Sequence, residues 1–338
     1  MGGISWRVGT CSRSCTTDVG RRWDTGLEPR RATLRAHAKV NLSLKVLGKR
    51  PDGFHEIRTV FQTIGLADTL EFEFTPGRGT AIELEDALGI DDNLVTRAAR
   101  LFFDERKVRG RLRMKLEKRI PMGGGLGGGS SDAATVLLAL PALTRRNTDL
   151  PALMAMGASL GSDVPFFLVG GAALGLGRGE ELYPLPEPKP LPVVVLAPPI
   201  HVSTPAAYRA LGRADLTSPS ECFKLNVFQS FVWQAFRASD AENDFETPVF
   251  QLHPELGVWR RKLERLGAQP ARLSGSGAAL FGVFPDRVNL QGALPKLRTE
   301  PLKVFSTAML TRAQFKARVW RSLHEHAFEN TWPPQSRH

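Results

Sequence analysis

A run of glycines restricts the fold of this 338-residue chain more than any other feature of its sequence. Six of the seven residues from Gly123 to Gly129 are glycine. Because glycine loses more backbone entropy on folding than any other residue, such a run destabilises the folded chain. That cost is offset where the main chain must come close to a ligand and direct several N–H groups at it. The run therefore predicts an anion-binding loop.

The segments on either side of the glycines predict a strand before the loop and a helix after it. Leu112, Met114 and Leu116 alternate with charged residues, as in a half-buried strand. A helix is expected over about 130–140, ended or kinked by Pro141. Such a helix adds the positive end of its dipole to the loop N–H groups, and the combination favours a phosphate. The predicted phosphate site comprises Pro121, Met122, Gly123, Gly124, Gly125, Leu126, Gly127, Gly128, Gly129, Ser130 and Ser131, with the two serines as hydroxyl donors.

Two known phosphate motifs can be compared with this loop. The pattern Gly123-x-Gly125-x-x-Gly128 matches the dinucleotide-binding fingerprint, but a run so dense in glycine matches almost any such pattern. The strand before it also carries charge along one face, whereas the first strand of a dinucleotide-binding fold is buried on both faces. The P-loop is excluded because no Lys follows the glycines. A glycine loop of purely structural role stays open as an alternative.

Composition and charge limit the class of protein. Hydrophobic residues make up 42% of the chain and charged residues 23%, which suffices for a sizeable core in one large or two ordinary domains. No apolar run approaches the length of a membrane-spanning helix. The net charge of +11 divides into +3 for residues 1–31, +3 for 311–338 and +5 between them. This balance fits a polyanionic small substrate as well as nucleic acid, but aromatic residues interleaved with Arg and Lys, which mark nucleic-acid surfaces, are missing.

Cysteine usage and the first residues predict a cytoplasmic protein. Cys11, Cys15 and Cys222 are too few for a disulfide framework and indicate a reducing compartment. Cys11 and Cys15 also lack the second pair of Cys or His residues that a zinc site needs. Residues 1–31 are irregular and contain no apolar stretch long enough for a secretory signal peptide. Their acidic residues argue against an organelle transit peptide.

Hydrophobic periodicity predicts the elements around the loop. Apolar residues alternate from Leu34 to Val46 and predict a long strand, with more strand over 57–74. Asp91-Asp92-Asn93 indicates a helix start. The proline-rich segment 184–192 is the best candidate for a domain boundary. Further predictions are a strand over 193–196, helices over about 225–238 and 255–267, a strand–turn–strand unit over 271–284, and an amphipathic tail helix through Phe315, Val319, Trp320 and Leu323 that packs on the body.

Six segments of the sequence resemble motifs of the GHMP kinases, a superfamily that includes galactokinase, homoserine kinase and mevalonate kinase. The segments are Ala38-Lys39-Val40-Asn41-Leu42, Arg50-Pro-Asp-Gly-Phe-His-Glu56, Asp92-Asn93-Leu94, the glycine loop, Leu160-Gly-Ser-Asp-Val-Pro-Phe-Phe167 and Leu273-Ser-Gly-Ser-Gly-Ala278. The resemblance implies an α+β fold of two domains with the active site between them. A nucleotide-binding N-terminal domain would span 32–185 and a C-terminal α/β sandwich domain 186–310, while 1–31 and 311–338 fall outside the resemblance.

Within this superfamily the motifs are most similar to the branch that acts on diphosphocytidyl-methylerythritol in the non-mevalonate route to isoprenoids. The resemblance implies transfer of the γ-phosphoryl group of ATP, with Mg²⁺ carried by ATP, to the 2-hydroxyl of that substrate. No metal-ligating residue is assigned. The expected partner is this small molecule rather than nucleic acid or a membrane, and the chain is expected to be a monomer or a homodimer.

The resemblance assigns the catalytic roles to Lys39 and Asp163. The residues alone instead favour a surface position for Lys39 on its strand, and a helix N-cap role for Asp163 before Pro165. An Asp near a helix N-terminus and a Lys is a weak proton acceptor. Asp163 is therefore expected mainly to orient the hydroxyl and to take its proton late, while Lys39 stabilises the developing charge.

The remaining site residues also follow from the resemblance. Phe54 would stack on the cytosine with His55 hydrogen-bonded to it, and Tyr208 would be the opposing ring, although Phe54 alone could be a packing lid beside its turn. Many relatives have Tyr before the His and Phe opposite, so this chain exchanges the two rings. The other predicted positions are Asn41 on the face of Lys39, Thr204 at the edge of the substrate site, Asn93 and Leu94 beside the adenine, and Ser274-Gly275-Ser276-Gly277 over the phosphates.

Two other functions stay open on the sequence alone. A different GHMP kinase would act on mevalonate or homoserine, although the aromatic residues favour a substrate that carries a base. A basic protein that binds nucleic acid on a similar fold would instead bind RNA in a salt-sensitive way without ATP turnover.

Overall fold

The computed structural model describes residues 28–87, 89, 93–187, 189–212 and 242–326, in which two β-sheets are covered by helices. The first sheet contains β1 (Arg30–Lys49), β2 (His55–Pro76), β3 (Thr80–Asp86), β4 (Gly110–Glu117), β5 (Ala172–Leu176) and β6 (Glu181–Pro184). The second contains β7 (Pro192–Ala197), β8 (Ala271–Leu273), β9 (Leu280–Val283) and β10 (Lys303–Ala308). The helices are α1 (Leu94–Glu105), α2 (Gly128–Thr144), α3 (Leu150–Leu160), α4 (Val164–Val169), α5 (Thr204–Leu211), α6 (Glu246–Leu252), α7 (Pro254–Arg265), α8 (Arg287–Leu297) and α9 (Arg312–Leu323).

The long strand β2 organises the first sheet. It pairs antiparallel with β1 along most of its length. Residues 69–76 of β2 pair with β4, and residues 59–62 pair with β5. β3 joins the sheet beside β4 in parallel, and β6 joins beside β5. The second sheet has the antiparallel order β10-β7-β9-β8.

Three apolar clusters hold the two sheets and their helices together. The first buries α1 to α4 against the first sheet, and Phe315 and Val319 of α9 join it. The second lies between the second sheet and α6 to α8. A third cluster joins the two sheets and includes Val40, Leu126 and Phe281. Leu126 belongs to the glycine-rich loop, so this third cluster fixes the loop where the two sheets meet.

Most predicted elements are present in the described residues. The strands predicted over 34–46, 57–74, 112–116 and 193–196 are β1, β2, β4 and β7, and the strand–turn–strand unit is formed by β8 and β9. The predicted helix over 255–267 is α7, and the tail forms α9, which packs on β1 and α2. The predicted helix over 225–238 and the residues Asp91 and Asp92 lie outside the described residues; Asn93 is the N-cap of α1.

Two boundaries differ from the prediction. α2 begins at Gly128 and continues through Pro141 to Thr144. Pro141 removes one helical hydrogen bond, but residues 131–143 are all buried, and this packing outweighs the loss. The irregular N-terminal segment ends earlier than expected, since β1 already includes Arg30 and Arg31 and Arg31 pairs with Glu73 on β2.

Candidate active site

The glycine-rich loop from Pro121 to Gly127 lies between β4 and α2. Gly125 and Gly127 have φ angles of +72° and +71°, which L-residues with a side chain rarely adopt. A Cβ atom on Gly125 would lie 2.0 Å from the carbonyl oxygen of Ser274, and one on Gly127 would lie 2.6 Å from the Phe167 ring. Contacts with protein atoms alone therefore require glycine at these two positions, whether or not a ligand is bound.

Hydrogen bonds from both domains fix the shape of this loop. The backbone N–H of Lys39 donates to the carbonyl of Leu126 at 3.0 Å. The Ser274 hydroxyl donates to the carbonyl of Gly125 at 2.9 Å, and the N–H of Ala279 donates to Gly124. The turn predicted over 274–277 thus lies directly against the glycine-rich loop.

The two serines after the loop point in different directions. Ser130 lines the cavity in front of the loop. Ser131 is buried, and its hydroxyl donates to the backbone carbonyl of His37 at 2.7 Å. The prediction that Ser131 donates to phosphate is therefore wrong, because its hydroxyl is used to attach α2 to β1.

Lys39 and Asp163 come together at the wall of the cleft. The Nζ atom of Lys39 lies 3.6 Å from a carboxylate oxygen of Asp163. Lys39 is only 4% exposed, so the alternative of a surface lysine is wrong. Burial lowers the pKa of the Lys39 ammonium, while Asp163 opposes that shift. Asp163 occupies the N-cap position of α4, but its side chain accepts no capping hydrogen bond and faces the lysine instead.

A chain of hydrogen bonds orients the Lys39 ammonium. Lys39 donates to the Asn41 amide oxygen at 2.6 Å. The Asn41 amide nitrogen donates to the Thr59 hydroxyl at 2.7 Å, and that hydroxyl donates to the carbonyl of Ser43 at 2.8 Å. Thr59 therefore fixes which end of the Asn41 amide faces Lys39. Sequence reasoning missed Thr59, since a buried threonine on a strand carries no local functional signal.

A cavity of about 820 Å³ opens between the two sheets, a size typical of small-molecule sites. Its lining brings together all seven predicted catalytic and substrate-binding residues: Lys39, Asn41, Phe54, His55, Asp163, Thr204 and Tyr208. Gly125, Gly127, Ser130 and Ser276 line it as well. The Thr204 and Ser276 hydroxyls lie 3.0 Å apart, so the second domain presents two adjacent hydroxyl groups to this cavity.

A second cavity of about 310 Å³ lies along the same loop. It is lined by Asn93, Leu94, Lys118, Asp132 and the loop residues Pro121 to Ser130. The two cavities share Gly125, Gly127 and Ser130. The Asn93 side chain is already used in the fold, because its oxygen accepts from the N–H of Val95 and its nitrogen donates to Asp86.

Three aromatic rings, of Phe54, His55 and Tyr208, line the larger cavity. The rings of His55 and Tyr208 stack at 4.3 Å with an angle of 21° between their planes. Phe54 lies in the turn before β2, is 53% exposed, and has the Arg178 guanidinium 4.7 Å from its ring centre. His55, at the start of β2, therefore covers the face of the Tyr208 ring, and the expectation that Phe54 and Tyr208 hold a cytosine between them stays a prediction.

The pKa values of Tyr208 and His55 are shifted so that both side chains are favoured in their neutral forms near neutral pH. Burial raises the pKa of Tyr208 to about 12, and Asp163 acts in the same direction, so the hydroxyl stays protonated. Burial and Lys49 lower the pKa of His55, which favours the neutral imidazole.

Arg178 is a cavity residue that the sequence reasoning missed. Its side chain donates to Glu180 at 3.0 Å, and its backbone N–H donates to the same carboxylate at 2.7 Å. These bonds hold the guanidinium over Phe54. The sequence feature that could have pointed to Arg178 is its position between Gly177 and Gly179, in the tight turn that joins β5 and β6.

Metal ligands and membrane-spanning helices are both lacking among the described residues. Over that part of the chain, no group of three or more His, Cys, Asp and Glu side chains is arranged to hold a metal ion. The helices in the same ranges are all too short or too polar to cross a membrane.

Comparisons with known proteins identify the family of this chain. Residues 93–171 match the family described as GHMP kinases N terminal domain, and residues 229–302 match GHMP kinases C terminal. A 4-diphosphocytidyl-2-C-methyl-D-erythritol kinase of Solibacter usitatus (strain Ellin6076) is 54% identical over 312 residues, which cover 91% of this chain and 98% of that protein. The chain belongs to the 4-diphosphocytidyl-2-C-methyl-D-erythritol kinase family.

Other members of the 4-diphosphocytidyl-2-C-methyl-D-erythritol kinase family agree with this assignment. The kinase of that name from Ralstonia pickettii (strain 12J) is 41% identical over 78% of this chain and 89% of its own length. A crystal structure of 4-(cytidine 5'-diphospho)-2C-methyl-D-erythritol kinase superposes with a TM-score of 0.70 at 38% identity, covering 82% of this chain and 98% of that one. A homoserine kinase from Cytophaga hutchinsonii, at 17% identity and a TM-score of 0.63, covers 89% of this chain and 98% of its own and shares the fold. The expected two-domain α+β fold of the GHMP kinases is thus confirmed.

Proposed function

We propose that this kinase transfers the γ-phosphoryl group of ATP to the 2-hydroxyl of 4-diphosphocytidyl-2-C-methyl-D-erythritol, a step of the non-mevalonate route to isoprenoids. The observation that carries this proposal is the 3.6 Å approach of the Lys39 ammonium to the Asp163 carboxylate, beside the glycine-rich loop. The relatives of that name, up to 54% identical over almost the whole chain, support the choice of substrate.

ATP takes the side of the loop where the smaller cavity lies. Its adenine lies near Asn93 and Leu94, which line that cavity. The triphosphate lies against the loop, where backbone N–H groups and the N-terminus of α2 offer partial positive charge. The Ser130 hydroxyl is a further donor. Bound to ATP, Mg²⁺ would supply positive charge that neutralises part of the phosphate charge, and no side chain is assigned to hold it.

Lys39 and Asp163 act on the acceptor hydroxyl. Phosphoryl transfer depends mainly on positioning and on stabilising charge. Asp163 accepts a hydrogen bond from the 2-hydroxyl and so aims its oxygen at the γ-phosphorus. As the new oxygen–phosphorus bond forms and the bond to ADP breaks, the hydroxyl proton passes to Asp163. The Lys39 ammonium stabilises the negative charge on the transferred group. Because Lys39 is buried, water screens this attraction only weakly.

The cytidine end of the substrate binds among Phe54, His55 and Tyr208. Stacking on these rings supplies affinity, and the neutral His55 ring hydrogen-bonds the base. A base between Phe54 and Tyr208 requires the His55 ring to leave its stack on Tyr208. Arg178, which lines the same cavity, keeps Phe54 in place. Mevalonate and homoserine carry no base, so they would have nothing to stack on these three rings.

The protein is further proposed to work in the cytoplasm, as a monomer or a homodimer, on this small molecule and not on nucleic acid or membranes. ADP release by the purified protein tests the assignment, with diphosphocytidyl-methylerythritol, mevalonate and homoserine supplied in turn. We expect turnover with the first substrate only, and its loss by at least about 100-fold in Lys39→Met. Salt-sensitive RNA binding without ATP turnover would contradict the proposal.

A further inference from the structure

A buried cluster of charged residues lies beneath the glycine-rich loop, apart from Lys39 and Asp163. The Nζ atom of Lys118 lies 2.5 Å from a carboxylate oxygen of Asp68 and 2.7 Å from one of Asp132. Both acids are buried, at 0% and 2% exposure, and Lys118 is nearly so. We call Asp68, Lys118 and Asp132 the loop-base cluster.

The loop-base cluster holds both ends of the loop. The second carboxylate oxygen of Asp68 accepts from the backbone N–H groups of Arg119 and Ile120, which lead into the loop. Asp132 lies in the first turns of α2, which leads out of it. Lys118 joins the two carboxylates, so the positions of the first and last loop residues depend on this ionic contact.

The cluster also faces the nucleotide side. Lys118 and Asp132 both line the smaller cavity with the loop glycines. One carboxylate oxygen of Asp132 accepts from Lys118, while the other has no hydrogen-bond partner among the described residues, although the side chain is buried. A buried acceptor without a partner is costly and is unusual unless it serves a function.

The charges in the cluster do not balance. The charged side chains that face Asp132 are Lys118, beyond the end of β4, and Asp68 on β2. With both acids ionised, the cluster carries one net negative charge next to a cavity that receives a polyanion. Burial raises the pKa of Asp132 to about 7; Lys118 opposes that shift and Asp68 adds to it. The two carboxylates likewise raise the pKa of Lys118 against the effect of burial, so the proton is exchanged at Asp132.

We propose that Asp132 is a positioning residue of the nucleotide site, and that its ionisation weakens nucleotide binding by placing net negative charge under the loop. The proposal rests on the proposed function, because it assigns the smaller cavity to the nucleotide. By linkage, a nucleotide that binds better to the protonated form must draw a proton onto Asp132 as it binds.

The test measures the Kd of ADP with Mg²⁺ by isothermal titration calorimetry between about pH 6.5 and 8.5. Asp132→Asn keeps an acceptor for Lys118 but cannot ionise. We expect the ratio of the wild-type Kd to the Asp132→Asn Kd to rise by about three- to tenfold over this range, since one pKa unit of linkage corresponds to a factor of about ten. The ratio cancels the titration of ADP itself. A ratio that stays constant overturns the proposal.

A matched control separates this effect from the mere loss of an aspartate. Asp149 is the N-cap of α3 and lies on the surface. Asp149→Asn should follow the wild-type profile, because asparagine caps equally well and the loop-base cluster is intact. If Asp149→Asn flattens the profile as Asp132→Asn does, the assignment to Asp132 is wrong.

A second measurement uses the wild-type protein alone and covers the case in which Asp132→Asn fails to fold. ADP binding is measured at about pH 7.5 in two buffers of different ionisation enthalpy. Because phosphate groups have a second pKa near about 6, ADP contributes little there. Net proton uptake supports the proposal, and no uptake overturns it. Both experiments measure ADP binding and not turnover. A failure to turn over the substrate would therefore count against the proposed function, whereas the role of Asp132 would still be decided by the binding data.

Discussion

Lys39 and Asn41 lie on the same face of β1, and the Nζ atom of Lys39 is 2.6 Å from the Asn41 amide oxygen. This contact is shorter than the 3.6 Å between Lys39 and Asp163. A buried ammonium is costly unless its donors are satisfied. Asn41 therefore supplies a fixed neutral acceptor that holds Lys39 charged while leaving Asp163 free to meet the substrate.

Removing the Asn41 acceptor should slow the reaction and shift its pH dependence. In Asn41→Ala the ammonium loses one hydrogen bond, which is worth about 1.5–3 kcal/mol when a charge is involved. The pKa of Lys39, already lowered by burial, should fall further, so the alkaline limb of kcat against pH moves to lower pH. We expect kcat at about pH 8 to fall about tenfold or more, with a smaller loss in Thr59→Val. An unchanged pH profile in Asn41→Ala would refute this role.

The two substitutions of Asp163 separate its orienting role from its role as a base. Asp163→Asn can still hold the hydroxyl but cannot take its proton, whereas Asp163→Ala can do neither. We expect kcat to fall about 100-fold in the first and about 1000-fold in the second, within the range of general base catalysis. Asp286→Asn, at the N-cap of α8, is the matched control and should keep full activity. A full-rate Asn variant would remove the base role, and a full-rate Ala variant would remove both roles.

The loop glycines can be tested for their packing role. Gly125→Ala should destabilise the protein by about 3 kcal/mol or more, because the new Cβ meets the Ser274 carbonyl oxygen at 2.0 Å as well as an unfavourable φ angle. Gly212 has a φ of +58°, and a Cβ added there would meet no atom within 4 Å. Gly212→Ala therefore measures the cost of the unfavourable φ angle without a clash, and it should lower the free energy of unfolding by only about 1 kcal/mol. Urea unfolding of both variants gives the comparison. Equal losses would show that the contact with Ser274 is unimportant.

Local patterns predicted the centre of the site but not the direction of every side chain. Glycine density located the loop, whereas the two catalytic candidates, Lys39 and Asp163, came from the family resemblance, since the residues alone allowed a surface lysine and a helix cap. Ser131 was misplaced because successive residues of an α-helix point about 100° apart. Ser130 faces the cavity, so its neighbour necessarily turns toward β1.

Long-range partners explain most of what the sequence did not reveal. The acids that meet Lys118 are 50 and 14 residues away along the chain, and no local pattern links them. The one local indication was that Lys118 follows the same two-residue spacing as Leu112, Met114 and Leu116, which places it on the apolar side of the alternation. The stacking of His55 on Tyr208 likewise depends on how β2 and α5 meet, which periodicity does not fix.

His37 should make the protein sensitive to acid. It is buried beneath α9, and burial lowers its pKa to about 3, with further lowering by Arg318 and Arg35. A histidine whose pKa is lower in the folded state stabilises the fold above its unfolded pKa of 6.5, and this contribution is lost as pH falls towards 3. At about pH 5 the loss should be about 2 kcal/mol, which His37→Leu avoids because leucine does not titrate. Urea unfolding at about pH 7.5 and pH 5 measures the effect: the wild type should lose about 2 kcal/mol more than His37→Leu between these pH values, and parallel losses in the two proteins would mean that His37 is not the group responsible.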